Sequence, residues 1–219
     1  LSTYIGTNTS LDVLTDAKSG GTNFTGSLII GHQTTGTLDA AQYNVAVGTT
    51  ALDAITTGDY NTAMGYSSLT DNTTGSTNAA YGSQTLFKNT TGARNTAIGH
   101  QSLYQNTEGS HNTAVGYNVL TNTTGNSNTG VGTTALTDNT TGQYNVAVGM
   151  NVLRGQTTSH YNTAIGNNSL QDANRPPDLD NDGYNTAVGY NAGNTGTNDI
   201  TTGNKNTLLG ASTAALTAA

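Results

Sequence analysis

The chain has no cysteine, which excludes disulfides, thiolate catalysis and zinc–thiolate sites and leaves the redox compartment open. Charge is nearly as scarce. Only 9% of the 219 residues are Asp, Glu, Lys or Arg, against roughly a quarter in an ordinary globular protein. Six basic residues in a chain of net charge −7 cannot neutralise a run of phosphates or hold an anionic leaflet, so nucleic acid and the membrane surface are excluded as partners. No apolar run approaches the roughly 18 residues that span a bilayer, and no signal-peptide core is present. Any export signal or anchor is therefore expected outside this segment. Leu, Ile, Val and Phe together make up about 16%, below the roughly 20% at which disorder becomes the expectation, but disorder also calls for a high net charge. A charge of −7 over this length is modest.

What is present is a repeat. From Asn44 the chain restarts one phrase every 17 residues: Asn44-Val45-Ala46-Val47-Gly48, then copies at Asn61, Asn78, Asn95 and Asn112. Further copies begin at Asn128, Asn145, Asn162, Asn185 and Asn206, with degenerate ones at Ser27 to Gly31 and Ser2 to Gly6. One motif per short period marks a solenoid, in which a coil cannot bury its own apolar face and needs its neighbours. The sequence thus predicts one all-β domain over 1–219, a parallel β-solenoid of about 12 coils with roughly 17 residues per coil. Residues 1–43 form degenerate N-terminal coils, 44–170 the regular repeats, 171–205 coils with inserted loops and 206–219 the terminal coil.

With the Asn as position 1, position 4 carries Val47, Met64, Tyr81 and Ile98, and position 9 carries Leu52, Leu69, Leu86 and Leu103. Positions 2 to 4 suit a short strand. Gly at position 5 and a second turn of the type Asn72-Thr73-Thr74-Gly75 punctuate each unit, so two short strands and two turns per coil are expected. Stacking at about 4.8 Å sets each residue over its counterpart, which explains the shortage of charge. A column of like charges repels, whereas Asn and Thr columns hydrogen-bond along the stack. Position 3 is Ala or Gly from Ala46 to Ala187. Two packable faces on one strand suggest a homotrimer with the Ala column against its axis; the alternative is an Ala column filling the narrow interior of a monomeric coil.

Candidate chemistry is sparse. Asp178-Leu179-Asp180-Asn181-Asp182-Gly183-Tyr184 alternates carboxylates and ends on Gly, the first half of a calcium loop, in which Asp178, Asp180, Asp182 and the Tyr184 backbone would hold Ca2+ and stiffen the insertion. Its distal acidic ligand is missing, since that place falls on Gly189. His32, His100, His111 and His160 are scattered, and neither a nucleophile elbow nor a phosphate loop occurs, so the chain reads as a non-enzyme. Asp53, Asp71, Asp138 and Asp172 share similar slots and read as solvated turns rather than a glycosidase pair. Tyr66, Tyr117 and Tyr190, in the slot of His32 and His100, form one aromatic column. Tyr43, Tyr60, Tyr144, Tyr161 and Tyr184, just before the Asn, form another. Such columns either cover the edges of a thin core or offer a weak face for cell-surface glycan. Thr pairs such as Thr73-Thr74, Thr90-Thr91 and Thr140-Thr141 raise ice binding as a competing function, although adjacent threonines point to opposite faces and leave one exposed column.

The units Asn112 to Leu120, Asn95 to Leu103 and Asn162 to Leu170 resemble the head repeats of trimeric autotransporter adhesins and the Asn-Thr-Ala-x-Gly repeats of phage and viral tail fibres. The resemblance implies a homotrimeric β-roll that attaches cells to surfaces. The unit here is longer than the adhesin-head unit and carries the extra Asn-Thr-Thr-Gly turn. The resulting expectation is a structural segment of an extracellular fibre or adhesin, on a cell surface or virion, with other copies of itself as partners and no membrane insertion.

Overall fold

The computed structural model describes residues 17–19, 28–30, 40–171, 183–194 and 205–213, among which there is no helix. Twelve strands form one sheet in chain order: β1 (Ala17–Ser19), β2 (Leu28–Ile30), β3 (Val45–Val47), β4 (Thr62–Met64), β5 (Ala79–Tyr81), β6 (Thr96–Ile98), β7 (Thr113–Tyr117), β8 (Thr129–Thr133), β9 (Val146–Val148), β10 (Thr163–Ile165), β11 (Thr186–Val188) and β12 (Thr207–Leu209). From β2 onward every pairing is parallel, with like positions of the repeat opposite one another, as in Ala63↔Ala80 and Ala80↔Ala97. Strands β3 to β10 begin 17 residues apart, once 16. These are about eight regular turns of a parallel β-solenoid, fewer than the 12 coils that the motif count suggests. The Ser2 to Gly6 copy lies outside the described residues, and the free edge of β2 is taken by β1 in antiparallel register.

Most strands stop at position 4, before a Gly in a conformation closed to other residues, whereas β7 and β8 continue through Gly116 and Gly132. Gly82 has φ 135°, and a Cβ there would lie 2.5 Å from the carbonyl oxygen of Gly99 in the next coil. Position 5 is thus a place where neighbouring coils approach closely. The second strand expected in each coil does not form. Positions 7 and 9 instead have left-handed backbone, with Gln84 at φ 57° and Leu86 at φ 50°, so this part of the coil is a turn. Left-handed geometry at a Leu costs on the order of 1 kcal/mol. It is held by bonds between coils: the Leu86 N–H donates to the Ser102 carbonyl at 3.0 Å and the Leu69 N–H to the Thr85 carbonyl at 3.0 Å.

The core is narrow and made of columns. Ala46, Ala63, Ala80, Ala97, Ala114, Ala147 and Ala164 are fully buried, and Leu52, Leu69, Leu86, Leu103, Leu120, Leu136 and Leu153 are buried with them. The Ala column thus lines the coil interior, which corrects the expectation that it faces a trimer axis. Alternation along a three-residue strand sends position 3 inward and positions 2 and 4 outward, as the burial of β4 to β6 shows. Gly130 departs from Ala in this column, and a Cβ there would lie 2.5 Å from Val119 Cγ1.

Two buried amide ladders run beside the apolar columns. At position 1, Asn61 Nδ2 donates to Asn44 Oδ1 at 3.1 Å and to the Gly75 carbonyl at 2.9 Å, while Asn61 Oδ1 accepts the Asn78 N–H at 3.0 Å. At position 12, Asn89 Nδ2 donates to Asn72 Oδ1 and Asn106 Nδ2 to Asn89 Oδ1, both at 2.8 Å. This second ladder breaks at Thr123, in the coil that is one residue short, and Asn106 Oδ1 is left buried without a hydrogen bond. Charge is handled as the stacking argument requires, with Lys88 Nζ 3.1 Å from Asp71 Oδ2 of the preceding coil. Both side chains are more than a third exposed, so Lys88→Met is expected to change stability by no more than about 0.5 kcal/mol. The urea midpoint checks this, and a larger loss would mean that the pair, not the amide ladders, governs register.

Candidate functional site: the outward sheet face and its tyrosine ladder

Because position 3 is spent on the interior, the sheet presents positions 2 and 4 to the outside. Position 4 is apolar in every strand from β3 to β12, and Val47, Met64, Tyr81, Ile98 and Ile165 are 38% to 43% exposed. Beside it, position 2 is Thr in β4, β6, β7, β8, β10, β11 and β12 and Val or Ala in the others. No charged residue interrupts β3 to β12 on this face. With ten strands at about 4.8 Å spacing, the face is on the order of 45 Å long and 10 Å wide. That is the size of the largest apolar patch on a typical soluble monomer, and such patches are often functional.

One edge of the face is the column just before each repeat Asn. Its residues share a left-handed backbone, from Tyr43 at φ 58° through Arg94 at φ 58° to Tyr184 at φ 52°. Each side chain is therefore projected outward in the same way, and like residues stack. Tyr43 and Tyr60 have ring centroids 4.9 Å apart, Tyr144 and Tyr161 4.9 Å, and Tyr161 and Tyr184 4.7 Å, with planes within 14° of parallel. The sequence named these five tyrosines as a column; the structure adds that they form two stacks. In the other aromatic column His100 stacks on Tyr117 at 5.5 Å, whereas Tyr66 and Tyr190 are more than half exposed.

Among the described residues the remaining sequence candidates are not brought together. Asp178, Asp180 and Asp182 lie outside the described residues, as do His32 and Asp172. Tyr184, the fourth expected calcium ligand, belongs to the tyrosine stack. Among the described residues no three His, Asp or Glu side chains are grouped to hold a metal. His160 accepts the Gln143 N–H at Nδ1, 2.9 Å away, and Asp71 pairs with Lys88. The first Thr of three pairs is committed to the stack: Thr73 Oγ1 donates to the Thr90 carbonyl at 3.1 Å, Thr90 Oγ1 to the Thr107 carbonyl at 3.0 Å and Thr140 Oγ1 to the Thr157 carbonyl at 2.9 Å. Asn72, which precedes the first of these pairs, is likewise committed, since its amide is buried and donates to the Gly75 carbonyl at 2.9 Å.

Sequence reasoning missed the sheet face itself. The signal was available, because position 4 stays apolar while varying in size from Val to Tyr. A close-packed interior tolerates such variation poorly and a surface column accommodates it. No protein-family model, curated protein or solved structure matches the chain.

Proposed function

We propose that the chain is a structural segment of an extracellular fibre or adhesin, assembled as a homotrimer through its outward sheet face. The observation that carries this reading is the uncharged apolar column of position 4, continuous from Val47 through Ile98 to Ile165 on an exposed face. With the Ala column inside the coil, position 4 is the surface left for a partner copy, and closed cyclic symmetry would cover it without leaving an end. The work of such a segment is mechanical: backbone ladders and amide ladders repeated at every coil resist shear and hold attachment surfaces away from a cell or virion. The reading assigns the chain no catalytic role.

The test is the mass in solution, by light scattering coupled to gel filtration. A mass near three times 22.3 kDa is expected, falling to one chain for the double substitution Ile98→Asp and Val131→Asp, which sets three carboxylates together at each of two levels of the axis. A single-chain mass for the unsubstituted protein would overturn the assembly. Repeating the measurement with a calcium chelator reports whether Ca2+ at Asp178, Asp180 and Asp182 contributes.

A second reading, ice binding, is favoured by the Thr column at position 2 beside the apolar column on a regular sheet. It predicts a monomer with thermal hysteresis. Met64 and Tyr81 break the evenness of that surface, and the absence of hysteresis at millimolar protein would remove the reading.

A further inference from the structure

The tyrosine ladder is interrupted over four coils, where Thr77, Arg94, His111 and Ser127 take the place of the rings. At the two ends of this gap stand Tyr60 and Tyr144, about five coil steps or roughly 24 Å apart. Each has one ring face covered by its own stack, on Tyr43 and on Tyr161 respectively. The next positions of the column on the unstacked side are Thr77 and Ser127, which carry no ring. Tyr60 is accordingly the most exposed ring of the ladder, at 59%.

In the middle of the gap Arg94 donates from Nη1 to His111 Nε2 at 3.2 Å, and both side chains are exposed. The contrast with Lys88 is informative. Lys88 meets Asp71 in the neighbouring coil, whereas among the described residues Arg94 meets no carboxylate. Its neighbour is an acceptor that orients the guanidinium but leaves most of its five N–H donors unused. A planar cation held in this way is suited to a bidentate carboxylate.

We propose that this gap binds an extended glycan bearing carboxylates, a uronic or sialic acid oligosaccharide lying along the rod. Arg94 takes a sugar carboxylate, and the open faces of Tyr60 and Tyr144 receive the apolar faces of sugar rings on either side. The ligand must be long enough to reach from Arg94 to at least one ring, so an oligomer binds and a single acidic sugar binds poorly. The proposal rests on the reading of the chain as a surface-presenting segment, and it names the ligand class and the residues that take it.

Titration calorimetry with oligogalacturonates of four to six residues, their methyl-esterified counterparts and a sialylated oligosaccharide tests this, with the mass of every sample measured in parallel. Binding of at least one acidic oligomer and not of the esterified one is expected. Arg94→Gln should weaken it at least about tenfold, the worth of a charge-assisted hydrogen-bonded pair. Tyr60→Ala and Tyr144→Ala should each weaken it several-fold, and Arg154→Gln, at an exposed cation without flanking rings, should leave it unchanged. Failure of the unsubstituted protein to bind any acidic oligomer, equal binding of the ester, retained binding by Arg94→Gln, or an equal loss in Arg154→Gln would each overturn the site. The mass reports separately on the trimer, so the two readings can fail independently.

Discussion

Asn112→Ala is expected to destabilise the protein by about 4 kcal/mol, as much as removing a large core side chain, although no apolar contact is lost. The Asn112 side chain ties its own coil to the next, and its backbone is tied to the one before. Its Nδ2 donates to the Gly125 carbonyl at 2.8 Å, and its Oδ1 accepts the Asn128 N–H at 2.9 Å and Asn128 Nδ2 at 3.3 Å. Its own backbone N–H is held by Asn95 Oδ1 at 2.9 Å. All of these groups are fully or nearly fully buried, so alanine leaves a backbone donor and a backbone acceptor without water or partner, at roughly 1–3 kcal/mol each with a void beside them. Urea denaturation checks the size of the loss, with Asn122→Ala as control. Asn122 is exposed, and its removal should shift stability by less than about 0.5 kcal/mol. Asn112→Asp sharpens the test through pH. The carboxylate accepts as Asn112 Oδ1 does but cannot donate to the Gly125 carbonyl, so its native-state pKa is raised above the unfolded value of about 3.9. The variant should therefore lose stability as pH rises above about 4 and recover it at lower pH, where the protonated group can donate. A loss that is independent of pH would mean that water reaches the ladder.

Gly82→Ala should be at least as damaging, about 4 kcal/mol or outright failure to fold, for a different reason. At φ 135° the backbone lies where only glycine is comfortable. The added methyl would also lie 2.5 Å from the Gly99 carbonyl oxygen and 2.8 Å from its carbon. Neither atom can move independently, because Gly99 donates its N–H to the Tyr81 carbonyl at 2.8 Å and Gly82 donates to Met64 at 2.8 Å. Relief therefore requires separating two coils along the strand edge and weakening the ladder on both sides. Solenoid stability is a sum over neighbours, so the damage should centre on coils near the substitution. Hydrogen exchange should show amides of residues 62–99 losing protection before those of 145–165. Uniform loss along the rod would mean that the coils unfold as a single cooperative unit.

Much of this architecture was legible because a solenoid writes its geometry into its period. The 17-residue recurrence of Asn, Ala, Gly and Leu required one coil per repeat, like residues stacked in register, and a shortage of charge, since a column of like charges at strand spacing repels itself. The pairing of Asp71 with Lys88 follows from the same reasoning. The tyrosine columns were likewise within reach of spacing alone.

Only the tertiary structure decided which side of each strand is the inside. Alternation states that Ala97 and Ile98 point in opposite directions; it does not state which is buried, and the answer, Ala97 at 0% and Ile98 at 41% exposure, moved the candidate contact surface from one column to the other. The reason is the small size of the coil, seen directly at Gly130, where even a Cβ would lie 2.5 Å from Val119 Cγ1. The turn around Leu86 was hidden for a related reason. Its left-handed backbone is unfavourable locally and exists only because the coil above supplies the carbonyl that holds it, so no property of the residue itself announces it. The gap at Arg94 belongs to the same class: the four residues could be read one by one, but the exposed ring faces at its ends come from stacking that only neighbouring coils create. The sequence by itself determined the period and what repeats; the closing of each coil on the next decided what is covered and what is left to meet a partner.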